Sequence, residues 1–157
     1  MSVNVKKMDS TPEQVFAVLA DPWIYPTWVV GASRLRAADG GYPAVGTKLH
    51  HSIGVWPLVL NDETQVEEWD PPRRMVLQAK TRPFGSERVT LEVRPHGSGS
   101  LVRMEEHTIS GPATRIPRLI ADAILFIRNA ESLRRLGYAS TGRAQQEANA
   151  SSGSAAR

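Results

Sequence analysis

From Ser2 to Ile109 the apolar residues recur mostly at every second position, and from about Thr114 to Gly137 they recur at spacings of three and four. The first pattern predicts strands. Val3 and Val5 mark one over residues 2–8, and Leu35 and Ala37 mark a second starting near Ser33. Five more are predicted over Thr47–Val55, Leu58–Trp69, Arg74–Thr81, Glu87–Arg94 and Leu101–Ile109. The intervening clusters, such as Asp39-Gly40-Gly41-Tyr42-Pro43, Asp70-Pro71-Pro72-Arg73, Arg82-Pro83-Phe84-Gly85 and Pro95-His96-Gly97-Ser98-Gly99, carry turn chemistry. Short strands punctuated in this way predict an antiparallel meander of about seven strands.

The second pattern predicts one long helix. Ile116, Leu119, Ile120, Ala123, Phe126, Ile127, Ala130 and Leu133 fall in a single stripe and are expected to face inward. Arg118, Asp122, Arg128, Asn129, Ser132 and Arg135 fill the other side. Thr114 is the expected N-cap, Pro117 sits in the first turn, and Gly137 is the expected stop. Near the N-terminus, Ser10-Thr11-Pro12-Glu13-Gln14 reads as a capped helix start, with Val15, Phe16, Val18 and Leu19 as its apolar face. Asp21-Pro22 interrupts it, and Trp23 to Trp28 reads as a broken second helix covering something apolar. Residues 139–157 lack an apolar period and are expected to form a disordered tail after a domain spanning residues 1–138.

Parity assigns faces within each strand. Met75, Leu77 and Ala79 point inward, as do Val89, Leu91 and Val93, and Val102 and Met104. The same parity carries Glu106 and Thr108 inward, places Asp62 and Thr64 with Leu60 and Val66, and places His51 with Leu49 and Ile53. Three ionisable side chains, His51, Asp62 and Glu106, therefore share faces that are otherwise apolar. Burying such groups without partners is costly. Their presence predicts a cavity dotted with polar groups, of the kind that binds small molecules, unless the strands run past the core and leave these groups in water.

At 157 residues the chain has the length of one domain and needs no disulfide or metal to be stable. It contains no cysteine, which removes thiol chemistry and thiolate metal sites. The net charge is only +3, and no basic block carries interleaved aromatics, so a nucleic-acid partner is not expected. Arg115, Arg118, Arg128, Arg134 and Arg135 read as a solvated helix face or, alternatively, as a phosphate- or membrane-facing surface. With no apolar segment at the N-terminus and no run long enough to span a bilayer, a cytoplasmic protein without a transmembrane segment is expected. His50 and His51 are neighbours on one strand and point to opposite faces, so they cannot share a metal. No phosphate loop or metal motif is present, and neither a metal nor a cofactor is expected.

The order of strand, two short helices, six-strand meander and long helix resembles the START-like (SRPBCC) superfamily, in particular the bacterial polyketide cyclase/dehydrase-like proteins. The resemblance covers roughly residues 2–137. It is carried by Ser10 to Phe16, Asp21-Pro22-Trp23, Trp28, Gly46-Thr47, Glu68-Trp69-Asp70-Pro71-Pro72-Arg73-Arg74, and Gly99 with Val102-Arg103-Met104-Glu105-Glu106. It implies an α+β helix-grip fold, a curved antiparallel sheet around the C-terminal helix with a cavity between them. Members bind lipids, sterols, polyketides or other apolar molecules there, and some catalyse cyclisation or dehydration. No universal catalytic motif exists to carry over, so the fold alone does not assign a function.

The expected partner is therefore a small hydrophobic molecule. Trp28, Met75, Leu77, Leu91, Met104, Ile120 and Phe126 are expected to line its cavity, with His51, Asp62, Thr64 and Glu106 orienting its polar groups. Trp28 and Trp56 are expected in core or lid packing, bordering an entrance. The alternative is a polyketide cyclase- or dehydratase-type enzyme in which His51 moves a proton, tuned by Asp62 or Glu106.

Overall fold

The period-two runs become the strands of one seven-stranded antiparallel sheet: β1 (Ser2–Met8), β2 (Ala32–Ala38), β3 (Lys48–Val55), β4 (Leu58–Asp70), β5 (Arg74–Thr81), β6 (Gly85–His96) and β7 (Gly99–Ser110). This computed structural model describes residues 1–81, 85–110 and 118–155. The strand order is β1-β7-β6-β5-β4-β3-β2, so the meander from β2 to β7 is uninterrupted and β1 returns to pair with its last strand. Bulges shift the register between Val66 and Glu68 in β4, and at two points where β2 meets β3. They bend the sheet.

Between β1 and β2 lie α1 (Pro12–Leu19), a 3-10 turn (Pro22–Ile24) and α2 (Tyr25–Trp28). The expected start of α1 is a full capping box. Thr11 Oγ1 accepts from the Gln14 N–H, and the Gln14 side chain accepts from the Thr11 N–H. Asp21 caps the 3-10 turn through the Trp23 N–H, which explains why Asp-Pro breaks the chain direction there. Val15, Phe16 and Leu19 of α1 pack with Leu49, Val66, Met75, Leu91, Val93, Val102 and Met104 from the sheet. Burying each of these large side chains stabilises the fold by roughly 1.5–3 kcal/mol.

The long helix α3 (Arg118–Ala155) packs on β1, α1 and α2. Two expectations about it are corrected. The first concerns its rotation. Ile120, Phe126 and Ile127 of the expected inward stripe are 54%, 53% and 71% exposed, whereas Leu125, Asn129, Ser132, Leu133 and Leu136 are buried. Of the expected stripe, Leu133 does face the core, while Ala123 and Ala130 are exposed. The first half of α3 is thus apolar outside and polar inside. The cause lies on the opposing sheet, where inward-facing carboxylates require a cation, and Arg128 meets them.

The second correction concerns its end. Gly137 is buried within the helix, and residues expected to form a disordered tail continue it to Ala155. Ser140 is buried against Ser10, hydroxyl to hydroxyl at 2.7 Å, and Arg143 reaches the Ala17 carbonyl and the Asp21 carboxylate. These contacts anchor the tail's first turns, and its Ala and Gln residues are good helix formers. Thr114, Ile116 and Pro117, the expected helix start, lie outside the described residues, as do Arg115 and most of the Arg82-Pro83-Phe84-Gly85 turn.

Candidate functional site

The polar inner face of α3 and the concave side of the sheet enclose a cavity of about 290 Å³. Its apolar walls come from Trp28 and Val29 at the end of α2, Ile53 of β3, Leu77 and Ala79 of β5, Val89 of β6 and Met104 of β7. Gly54 stands on the wall beside the tight β3–β4 connection with φ +97°, and a Cβ there would strike the Leu58 carbonyl, so only glycine fits. The polar groups fall into two sets.

One set is a hydrogen-bonded chain. His51 Nε2 meets Thr64 Oγ1 at 2.9 Å, and the same hydroxyl meets Tyr25 Oη at 3.2 Å. His51 on β3 lies opposite Asp62 on β4, two pairs from Thr64, so strand pairing brings these side chains to one face. Burial, aided by the charges of Arg36 and His50, lowers the His51 pKa to about 4, so the ring is neutral at neutral pH. Arg36 reaches the backbone carbonyls of His51 and Asp62. Burial pushes the Tyr25 phenol up to about 12, so it too is neutral. The Asp62 carboxylate is buried and accepts from the Glu63 N–H at 2.8 Å.

The second set is an ion cluster. Arg128 on α3 donates to Glu106 Oε1 on β7 and, at 3.3 Å, to Glu87 Oε2 on β6. Glu106 is fully buried, and its second oxygen, Oε2, has no formed hydrogen bond, nor does the neighbouring Asn129 Nδ2. Burial favours the protonated form of Glu106, but the Arg128 charge outweighs it and holds this carboxyl below its usual value. Glu87 takes the opposite course. Burial, then hydrogen bonding to and repulsion by Glu106, raise it to about 7 against the pull of Arg128. Two carboxyls compete for one cation, and the less enclosed of them keeps a proton into the neutral range.

Of the residues expected around the cavity, Trp28, His51, Asp62, Thr64, Leu77, Met104 and Glu106 line it. Met75 and Leu91 are buried in the core instead. Ile120 and Phe126 are on the outer face of α3, because the helix is rotated to present Arg128. Trp56 is 85% exposed at the β3–β4 tip rather than packed as core. The sequence reading missed Glu87, Arg128, Asn129, Ser132 and Tyr25. Glu87 was detectable, since it shares parity with Val89, Leu91 and Val93. Of the arginines read as a possible anion- or membrane-facing surface, Arg128 is turned inward, while Arg134 and Arg135 pair with Glu131 on the outside.

Among the described residues no helix is long and apolar enough to cross a membrane, and no group of three His, Asp or Glu side chains could hold a metal ion.

The fold is widely shared. A protein from Nitrosomonas europaea superposes with a TM-score of 0.71 at 14% identity, over 91% of this chain and 95% of the other. A Rhodobacter sphaeroides protein gives 0.66 at 21% identity, over 87% and 89%. The di-domain ARO/CYC StfQ from the steffimycin biosynthetic pathway gives 0.68 at 13% identity, and this chain spans 51% of its length and 91% of its own. Likeness at these identities establishes the START-like helix-grip fold alone. No curated protein matches the sequence. A family model does, over residues 2–136, and by that match the chain belongs to the polyketide cyclase / dehydrase and lipid transport family.

Proposed function

We propose that this protein binds a small apolar molecule in the cavity between the sheet and α3. The observation that carries the reading is the inverted amphipathicity of the first half of α3. A helix selected for stability alone would bury Ile120, Ile124 and Ile127, yet these are exposed while Arg128, Asn129 and Ser132 line a cavity. Leaving three isoleucines in water forgoes several kcal/mol, at roughly 1.5–3 kcal/mol each. A polar-dotted, otherwise apolar cavity is the gain in exchange, and its about 290 Å³ suits a ligand of two or three rings. The family's description and the presence of the di-domain ARO/CYC StfQ among the structural neighbours support the same reading.

The test is fluorescence titration with N-phenyl-1-naphthylamine, an uncharged two-ring probe with an appended phenyl. Saturable one-to-one binding is expected, weakened at least about tenfold, or 1.4 kcal/mol, by Val89→Trp, which puts an indole into the cavity from the middle of β6. Equal affinity in a Val89→Trp protein that unfolds cooperatively would place the probe elsewhere and sink the reading.

A second reading, acid/base turnover of the bound molecule, is favoured by the Glu87 carboxyl, held near 7 inside the cavity. His51, neutral at that pH, can accept a proton there but has none to give as an acid from its cationic form. If turnover occurs, kcat/KM is expected to change across the neutral range in a limb that Glu87→Gln removes. A profile unaltered by that substitution would remove Glu87 from the chemistry, and absence of turnover would leave binding as the whole function.

A further inference from the structure

We propose that the cavity is charge-selective. It admits uncharged apolar molecules bearing hydroxyl or carbonyl oxygens and excludes carboxylates, sulfonates and phosphates. This inference rests on the cavity being a binding site and adds the class of ligand.

The argument is a charge inventory of the wall. Among the described lining residues Arg128 is the one cation, and Asp62, Glu87 and Glu106 are carboxyl groups. Arg128 is engaged by both Glu106 and Glu87 through the same Nη2 nitrogen. An anionic ligand reaching for it must displace Glu106, which is fully buried and has no other cation among the described lining residues, or must lie beside carboxylates it repels. His51 offers no charge in compensation, since it is neutral at neutral pH. What the wall does offer is neutral hydrogen-bonding capacity. Asn129 Nδ2 is a buried donor without a formed bond, and His51 Nδ1 is a buried ring nitrogen without one. Buried polar atoms of this kind are costly until paired, and a ligand hydroxyl or carbonyl oxygen pairs them without introducing a charge.

The experiment compares two probes that share one aromatic skeleton, N-phenyl-1-naphthylamine and 8-anilinonaphthalene-1-sulfonate, and so isolates the sulfonate. Only the component of binding abolished by Val89→Trp is assigned to the cavity, since the exposed isoleucines of α3 can hold either probe on the surface. The uncharged probe is expected to bind the cavity at least about tenfold more tightly. Equal cavity-dependent affinity overturns charge selectivity and leaves the binding reading intact. Absence of any cavity-dependent signal from either probe removes the binding reading and this inference with it. Glu106→Gln supplies an independent arm. It loosens the hold on Arg128 and is expected to raise the affinity for the sulfonate, relative to that for the uncharged probe, at least about tenfold. A Glu106→Gln protein that unfolds cooperatively and shows no such gain for the sulfonate over the uncharged probe overturns the proposal. Should that variant fail to fold, the comparison of the two probes on the unaltered protein decides alone.

Discussion

Replacing Arg128 by methionine is expected to cost about 3–5 kcal/mol of folding stability near pH 8, the range found when one partner of a buried ion pair is removed. Methionine matches the apolar stem of arginine and removes the guanidinium, so the loss is that of the charged head. Without it Glu106, fully buried, and Glu87, 15% exposed, face each other across the top of β6 and β7 with no cation between them. The deficit is expected to shrink on acidification, and the sign follows from linkage. In the variant both carboxyls have folded-state pKa values above their unfolded ones. The folded state then binds more protons than the unfolded chain, and stability falls as pH rises through that window. Denaturant midpoints at about pH 5 and about pH 8 check this, with the larger loss expected at the higher pH. Equal losses at both would mean that Arg128 acts through the volume its guanidinium fills rather than through its charge.

Glu87→Gln is expected to do the reverse and stabilise the protein near pH 8, by about 1–3 kcal/mol. In the native fold the Glu87 carboxyl is raised to about 7, well above the ordinary glutamate value, first by burial and then by Glu106. A carboxyl raised in this way withholds stability as pH climbs from the unfolded value of about 4.3 towards 7, and the withheld amount is constant above that. Glutamine mimics the protonated acid. Its amide donates to the Glu106 oxygen that lacks a formed bond, and its carbonyl accepts from Arg128. Near pH 5 most Glu87 is already protonated in the fold, so variant and parent should differ by no more than about 1 kcal/mol. The measurement is again the denaturant midpoint against pH. A variant less stable than its parent at the higher pH would show that Glu87 is fully ionised there and held by Arg128.

How far the chain can be read without its structure depends on what each pattern measures. The strands were legible because alternation, together with turn chemistry such as Asp70-Pro71-Pro72-Arg73, marks both their extent and their ends. The inward direction of Glu106 was legible for the same reason. A strand offers two faces only, and Val102 and Met104 decide which is buried. His51, Asp62 and Thr64 followed by the same logic, and pairing of β3 with β4 brings them together. Glu87 obeys that parity too.

The helix is different. Periodicity defines the angles between residues on α3 but not the rotation of the helix about its axis, and the apolar stripe is only a presumption about which side turns inward. Leu133, at the α1 and β1 end, satisfies that presumption; Ile120, Phe126 and Ile127 do not, because on their level the opposing sheet presents Glu106 and Glu87. A buried carboxylate without a cation is costlier than an exposed isoleucine, and that comparison needs residues over twenty positions apart in sequence to be placed face to face. The sequence by itself thus determined the sheet, the capped first helix, the family and the inward carboxylate of β7. Only the tertiary structure decided which face of α3 meets that carboxylate, and with it the charge of the cavity, because rotation of a helix is settled by what lies across from it.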